Sequence, residues 1–243
     1  VIDGRYVWLN FRFSTGDAAG QNMVTIATEA ICKYINRFSP ILPTKQYIEA
    51  NLSGDKKATS FAMRTGRGKN VVADIVIEKK IVKKMLRSTP EEIVEFSKMS
   101  MLGGVHSGSI GTNGHFANAL AAIFIACGQD AACVAESSVG TSKAELTDGG
   151  DLYVSISLPN LVVGTVGGGT GLPTQKECLE IMECYGSNNA KKFAEICAAT
   201  VLAGEISIAA AISAGYFTQA HQVYGRKNQP KIDERKDVNS KIT

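Results

Sequence analysis

Across residues 6–13 apolar and polar positions alternate, with Val7, Leu9, Phe11 and Phe13 facing one way and Trp8, Asn10 and Arg12 the other. That period of two predicts a half-buried strand. The small residues of STGDAAGQN, 14–22, break it. From 23 to 38 the period changes, and Met23, Ile26, Ala27, Ala30, Ile31, Tyr34, Ile35 and Phe38 recur at the spacing of an amphipathic helix. Pro40 and Pro43 then mark a connection between two units.

Residues 61–64 and 71–77 read as two strands joined by the turn TGRGKN, 65–70. Residues 79–86 form a basic helix. Ser88-Thr89-Pro90-Glu91-Glu92 supplies the cap, the proline and the first-turn acids of another helix, which runs to about Leu102. The stretch 106–132, HSGSIGTNGHFANALAAIFIACGQDAA, begins as a glycine-rich loop, becomes a small-sided apolar helix and ends near Asp130. A short helix to about Glu136 follows. Residues 152–158 and 161–166 read as two strands separated by a turn at Pro159-Asn160, and the second ends in the glycine run 167–171. Helices are expected at 176–184 and 188–217, and a charged, disordered tail at 227–243. The mixture predicts an α+β fold.

Composition narrows the function classes. The chain has 243 residues, with 26 basic and 23 acidic side chains for a formal charge of +3. That near-neutral balance gives a nucleic-acid or membrane-surface role no support. The longest apolar run, 119–127, is about half of the ~20 residues that a membrane-spanning helix needs. The six cysteines include no C-x-x-C pair, so free thiols in a reducing, cytoplasmic setting are expected. Because the chain opens with Val1 directly before a strand, a preceding N-terminal portion is also expected.

Candidate chemistry rests on Lys56 and Lys57 after Asp55, on Lys98, on Asp130 and on the histidines His115 and His221. A lysine whose proton is set by a neighbouring acid can polarise a carbonyl and stabilise a developing alkoxide. Surface lysines with a helix-capping aspartate would leave the same pattern. The strand-to-helix turn at 14–22 suits a phosphate cradle, and Arg64, Arg67 and Lys69 suit either phosphate contact or an ordinary solvated turn. The run Gly167-Gly168-Gly169-Thr170-Gly171 fits neither a Walker loop nor a G-x-G-x-x-G fingerprint. No Ser-His-Asp arrangement or metal-ligand spacing stands out, so no metal is expected.

Five motifs, DAAGQNM at 17–23, GDKKA at 54–58, GHFAN at 114–118, ACGQDAA at 126–132 and GTVGGGTGLPTQ at 164–175, together resemble the catalytic region of hydroxymethylglutaryl-CoA (HMG-CoA) reductase. The resemblance extends over residues 6–227. It implies reduction of HMG-CoA to mevalonate and CoA, in isoprenoid biosynthesis, by two hydride transfers from NADPH. By that resemblance Lys56 donates to the thioester and aldehyde oxygens, Asp130 hydrogen-bonds the lysine, and His221 protonates the departing CoA thiolate. Asp55, Lys57, Lys98, His115 and Asn118 hold or order the substrate. Asp17, Ala18, Ala19, Gly20, Gln21 and Asn22 form a cofactor loop, joined in cofactor binding by Gly167, Gly168, Gly169, Thr170 and Arg226.

The implied fold is a large α/β domain around a long central helix, with a small ferredoxin-like cofactor domain inserted. Residues 1–45 would be the closing part of the small NADP-binding domain, 46–228 the large catalytic domain and 229–243 a polar tail. A homodimer or higher oligomer with shared active sites is implied, the lysine loop coming from the neighbouring subunit. The family's catalytic glutamate lies in a segment N-terminal to these residues. The alternative is a non-catalytic CoA-ester-binding or oligomer-forming relative that lacks this glutamate.

Overall fold

In the computed structural model the described residues are 1–216, so His221, Arg226 and the tail at 229–243 lie outside them. Two short strands, β1 (Ile2–Asp3) and β2 (Tyr6–Val7), pair antiparallel and lead to helix α1 (Gln21–Phe38). The helical turn α2 (Ser60–Arg64) precedes strand β3 (Lys69–Ile77) and helix α3 (Lys79–Ile81), which continues as a π turn over Val82–Leu86. Helices α4 (Pro90–Ser107), α5 (Phe116–Ala126) and α6 (Val134–Ser137) follow. Strands β4 (Thr141–Leu146) and β5 (Leu152–Leu161) and helices α7 (Pro173–Ile181) and α8 (Ala190–Ser213) complete the described chain.

The core is a three-stranded antiparallel sheet in the order β3-β5-β4, covered by helices, which is the expected mixture of helix and strand. On β5, Leu152, Val154, Ile156 and Leu158 are buried on one face, as the period of two requires. Helix α8 packs on β3 and β5 and touches α4 and α5. It is long and apolar enough to span a membrane by composition, yet here it is a core helix that buries Phe193, Ala194, Cys197, Ala198 and Val201. Phe116, Leu120 and Phe124 of α5 fill the space beside it.

Helix α4 begins as the sequence dictates. The Thr89 side chain accepts the Glu92 N–H, the Glu92 carboxylate accepts the Thr89 N–H, and Pro90 occupies the first turn. The helix runs past Leu102 to Ser107, so His106 is helical and the loop begins at Gly108, whose φ of 71° ends the helix.

Several expectations are corrected. Alternation over 6–13 yields a strand at Tyr6–Val7 alone; Trp8 exchanges backbone hydrogen bonds with Val1, and residues 9–13 meet no partner strand among the described residues. Residues 61–64 are helical because the Thr59 hydroxyl caps the turn by accepting the Ala62 N–H at 3.2 Å. β5 continues through Pro159 and Asn160 as one strand, and 162–166 form no second one. Pro159 is tolerated because β4 has ended at the Thr141–Ser157 pair and β3 slips register between Lys69 and Val71.

Candidate functional site

Lys56 lies in an irregular loop that leads into α2, and its backbone is left-handed, with φ 57°. Such a conformation is uncommon outside glycine and persists where neighbours hold it. Two groups from one short segment do so. The Lys56 ammonium pairs with the Asp130 carboxylate at 2.9 Å. The Lys56 backbone N–H donates to Glu136 Oε1, also at 2.9 Å. Asp130 in turn caps the helical turn that leads to Glu136 by accepting the Ala132 N–H at 3.0 Å.

Glu136 is buried and makes full use of both oxygens. Besides the Lys56 N–H, its carboxylate accepts Arg67 Nε at 2.9 Å, Arg67 Nη2 and Asn160 Nδ2 at 3.0 Å. Arg67 also pairs with Asp55. Asn160 Oδ1 accepts the Arg67 and Gly68 backbone N–H groups at 2.6 and 2.8 Å, which fixes the turn carrying the arginine. Arg67, read from sequence as a solvated turn residue or phosphate contact, thus turns onto two carboxylates. By donor type Asp55, Cys133 and Glu136 could gather a cation, and Arg67 supplies that charge to both acids.

The charges follow from these contacts. Hydrogen bonding to Asp130 raises the Lys56 pKa, against a smaller desolvation effect. Burial pushes the Asp130 carboxyl upward, but Lys56 and the Ala132 N–H outweigh it and hold the group below the usual carboxylate range. Glu136 behaves alike: desolvation opposes ionisation, and Arg67, the Lys56 N–H and Asn160 overcome it. Burial pushes the neighbouring Cys133 thiol up to about 12. The Lys56 and Asp130 side chains remain 39% and 32% exposed, so the pair is open to a ligand.

The glycine-rich segments converge on the same region. Residues 17–19 run beside 164–166: Ala18 bridges Val166, and the Thr165 N–H donates to the Asp17 carbonyl at 2.8 Å. Gly164 is packed so tightly on this loop that a Cβ would come within 2.8 Å of the Asp17 carbonyl. The Asp17 carboxylate accepts the Asn188 and Ala190 N–H groups at the start of α8, which lower its pKa. Gln129 clasps Gly164 in both directions, at 2.8 and 2.9 Å, directly before Asp130. Gln21 donates to Cys133 and accepts from Arg67, both at 3.3 Å, so the 17–22 loop touches the lysine cradle. The Lys69 ammonium donates to the Val163 carbonyl at 2.8 Å, with its pKa lowered by desolvation.

A fit for an extended phosphate-bearing group can be tested on the glycines themselves. Gly167 and Gly168 have φ of 76° and 56°, are exposed, and have open space where a Cβ would stand. Backbone there is accessible to a ligand, beside the 17–22 loop. Among the described cofactor candidates, Asp17 turns its side chain onto the start of α8 and Thr170 is buried, its hydroxyl donating to the Gly167 carbonyl.

Other predicted residues lie elsewhere. Lys57 is exposed, and its ammonium donates to the Asp55 carbonyl at 3.1 Å. His115 stands at the start of α5 without a capping side-chain bond, its Nδ1 unpartnered against Gly204; Asn118 is exposed one turn on, and Lys98 is exposed on α4. Glu205 of α8 accepts the Gly114 and His115 N–H groups, complementing the α5 dipole. The 11 residues of α5 separate this group from the Asp130 end by about 16 Å. An apolar groove between α4, β4 and α8, lined by Phe96, Ile208 and Ile212, opens at this distant end and not at Lys56. Within this chain the Lys56 ammonium meets Asp130, and Glu136 anchors the lysine backbone. Sequence reasoning gave no role to Glu136, read within a short helix, to Asn160, read as a turn residue, or to Gln129, read only as part of ACGQDAA.

The family model described as hydroxymethylglutaryl-coenzyme A reductase matches residues 1–226. The 3-hydroxy-3-methylglutaryl-coenzyme A reductase of Pyrococcus horikoshii is 48% identical over 233 residues, covering 93% of this chain and 56% of the relative. That of Methanocaldococcus jannaschii is 46% identical over 230 residues, with the same coverages of 93% and 56%. 3-Hydroxy-3-methylglutaryl-coenzyme A reductase 2 of Dictyostelium discoideum is 40% identical over 238 residues, 94% of this chain and 45% of the relative. The chain spans about half the length of the curated relatives it matches.

Proposed function

Because this chain belongs to the hydroxymethylglutaryl-CoA reductase family, we propose that it carries the lysine–aspartate part of an enzyme that reduces HMG-CoA to mevalonate and CoA with NADPH. The observation that carries the reading is the Lys56–Asp130 pair at 2.9 Å, solvent-accessible and held beside two glycine-rich segments. Negative charge building on a thioester or aldehyde oxygen during reduction is met by the Lys56 ammonium. Asp130 keeps that ammonium protonated and oriented, consistent with the raised lysine pKa. Asp55 and Lys57 flank the lysine and contribute to holding the substrate.

The dinucleotide, when bound, supplies hydride; its binding is assigned to the 17–22 loop and to the backbone of Gly167, Gly168, Gly169 and Thr170, with Arg226 beyond the described residues. His221, also beyond them, is assigned the protonation of the CoA thiolate, a role suited to a side chain titrating near neutrality. Residues 1–45 are assigned to the small cofactor domain and 46–228 to the large domain. In support, Met23, Ile26, Tyr34 and Phe38 of α1 are exposed, a face that a further layer would cover.

His115, Asn118 and Lys98 are assigned to substrate in a homodimer, and the separation of His115 and Asn118 from the Asp130 end of α5 favours a site completed across subunits. The setting proposed is the cytoplasm. The test is dinucleotide oxidation by the complete protein, followed by absorbance with HMG-CoA. Wild type should consume NADPH and release CoA thiol, and Lys56→Ala should abolish both. Undiminished turnover in the variant would refute the assignment.

A further inference from the structure

We infer that Glu136, with Arg67 as its clamp, is the positioning residue for Lys56: it fixes the lysine main chain so that the ammonium meets Asp130 and the reacting oxygen. The inference deepens the reductase reading and rests on it. Lys56 is gripped at both ends by one short element. Asp130, at the start of a helical turn, takes the ammonium; Glu136, six positions later and in α6, takes the backbone N–H. The separation between the two grips is therefore set by a rigid stretch of chain.

The loop around Lys56 turns sharply, with Asn51, Gly54 and Lys56 all at positive φ. Its backbone bonds, Gly54 N–H to Asn51 and Lys57 N–H to Gly54, are both 3.2 Å long, and Glu49 ties its start by accepting from Asn51 N–H and the Ser53 hydroxyl, whereas the Lys56 N–H itself is held by Glu136. Glu136 holds this strained segment with a carboxylate fixed by Arg67 and Asn160. A bidentate guanidinium pair has the directional rigidity for this, and the same Arg67 reaches Asp55 next to the lysine. Gln21 joins Arg67 to the 17–22 loop, which links the lysine's position to the glycine segments. The groups facing the Lys56 ammonium are Asp130, Asp55 and Cys133; Glu136 acts on the main chain, and so through Lys56 itself.

The test uses the complete protein with Glu136→Gln, which keeps the acceptor for the Lys56 N–H but loses the charged fork with Arg67. Misplacing a reacting group by about 1 Å costs on the order of 100-fold in rate, so kcat should fall by roughly 10- to 100-fold while KM for HMG-CoA changes much less. A second reading needs no turnover: the Lys56 ammonium, followed by NMR of 13C-methylated lysines, should titrate closer to an ordinary lysine in Glu136→Gln than in wild type. Arg67→Lys, which keeps a cation beside Glu136 without the fork, should move both readings in the same direction by less, and serves if Glu136→Gln does not fold.

Wild-type kcat in a folded Glu136→Gln variant overturns the inference. So does a lowered kcat with an unmoved Lys56 titration, since that marks a structural role alone. Should the wild-type protein fail to reduce HMG-CoA, the reductase reading falls and the Lys56 titration decides the positioning claim by itself.

Discussion

Gly128→Ala probes the join between the two halves of the site. Gly128 has φ of 66°, and a Cβ there would overlap the Gly169 carbonyl and lie within 2.8 Å of Thr170 N. Two costs add. Alanine in the left-handed region is strained by about 1–2 kcal/mol. Forcing a methyl group against fixed backbone costs about 1–3 kcal/mol. The sum, about 2–5 kcal/mol, corresponds to a fall of roughly 1–2 M in urea midpoint for typical denaturant slopes. Circular dichroism of the complete protein in urea measures it. Gly103→Ala is the contrast: that exposed glycine lies within α4 with nothing within 4 Å of a Cβ, so the change should stabilise by about 0.5–1 kcal/mol. A Gly128→Ala midpoint within about 0.2 M of wild type would mean that the Asp130 turn and the glycine-rich segment are not in contact, and the convergence argument would fail.

Acid should remove the grip on Lys56. Glu136 has a folded pKa below its ordinary value, so its contribution is present above the unfolded value near ~4.3 and is lost as pH falls through the folded pKa. Accordingly Glu136→Gln should be less stable than wild type at pH 7, with the gap narrowing as pH falls below the unfolded value of ~4.3; a gap that does not narrow with falling pH contradicts this. Thiol accessibility checks the core. Ellman's reagent at pH 8 should leave Cys133 and Cys197 unmodified until unfolding, since burial raises both thiols, while the half-buried Cys32 on α1 and Cys178 on α7 react first. Native-state reaction of Cys133 at the rate of Cys32 would refute the packing.

What could be read from sequence depended on how local the determining physics is. The α1 and α4 helices were legible because spacing and a capping box act within a few residues, and so was β3. Residues 61–64 misled because Phe61 and Met63 alternate as a strand would, whereas one hydroxyl, from Thr59, decides for a helical turn. β5 was read as two strands because Pro159 signals a turn; its tolerance depends on where β4 stops, which is a non-local fact. β4 was passed over because TSKAEL is short and polar and gains its order by pairing with β5.

The site divides in the same way. Lys56 and Asp130 were found by motif, and the fold pairs them at 2.9 Å. Glu136 and Arg67 lie 69 residues apart and make sense only once folded together. A glutamate in a short helix and an arginine in a turn each look solvated alone.

The central claim is that Lys56 and Asp130 work as one unit in the reduction of HMG-CoA. A double-mutant cycle measured by NADPH oxidation in the complete protein tests it directly. Groups that act together are strongly non-additive. Lys56→Ala and Asp130→Ala should each lower kcat by similar large factors, and the double variant should be scarcely slower than either. Multiplicative losses, or an Asp130→Ala variant with wild-type kcat, would contradict the account.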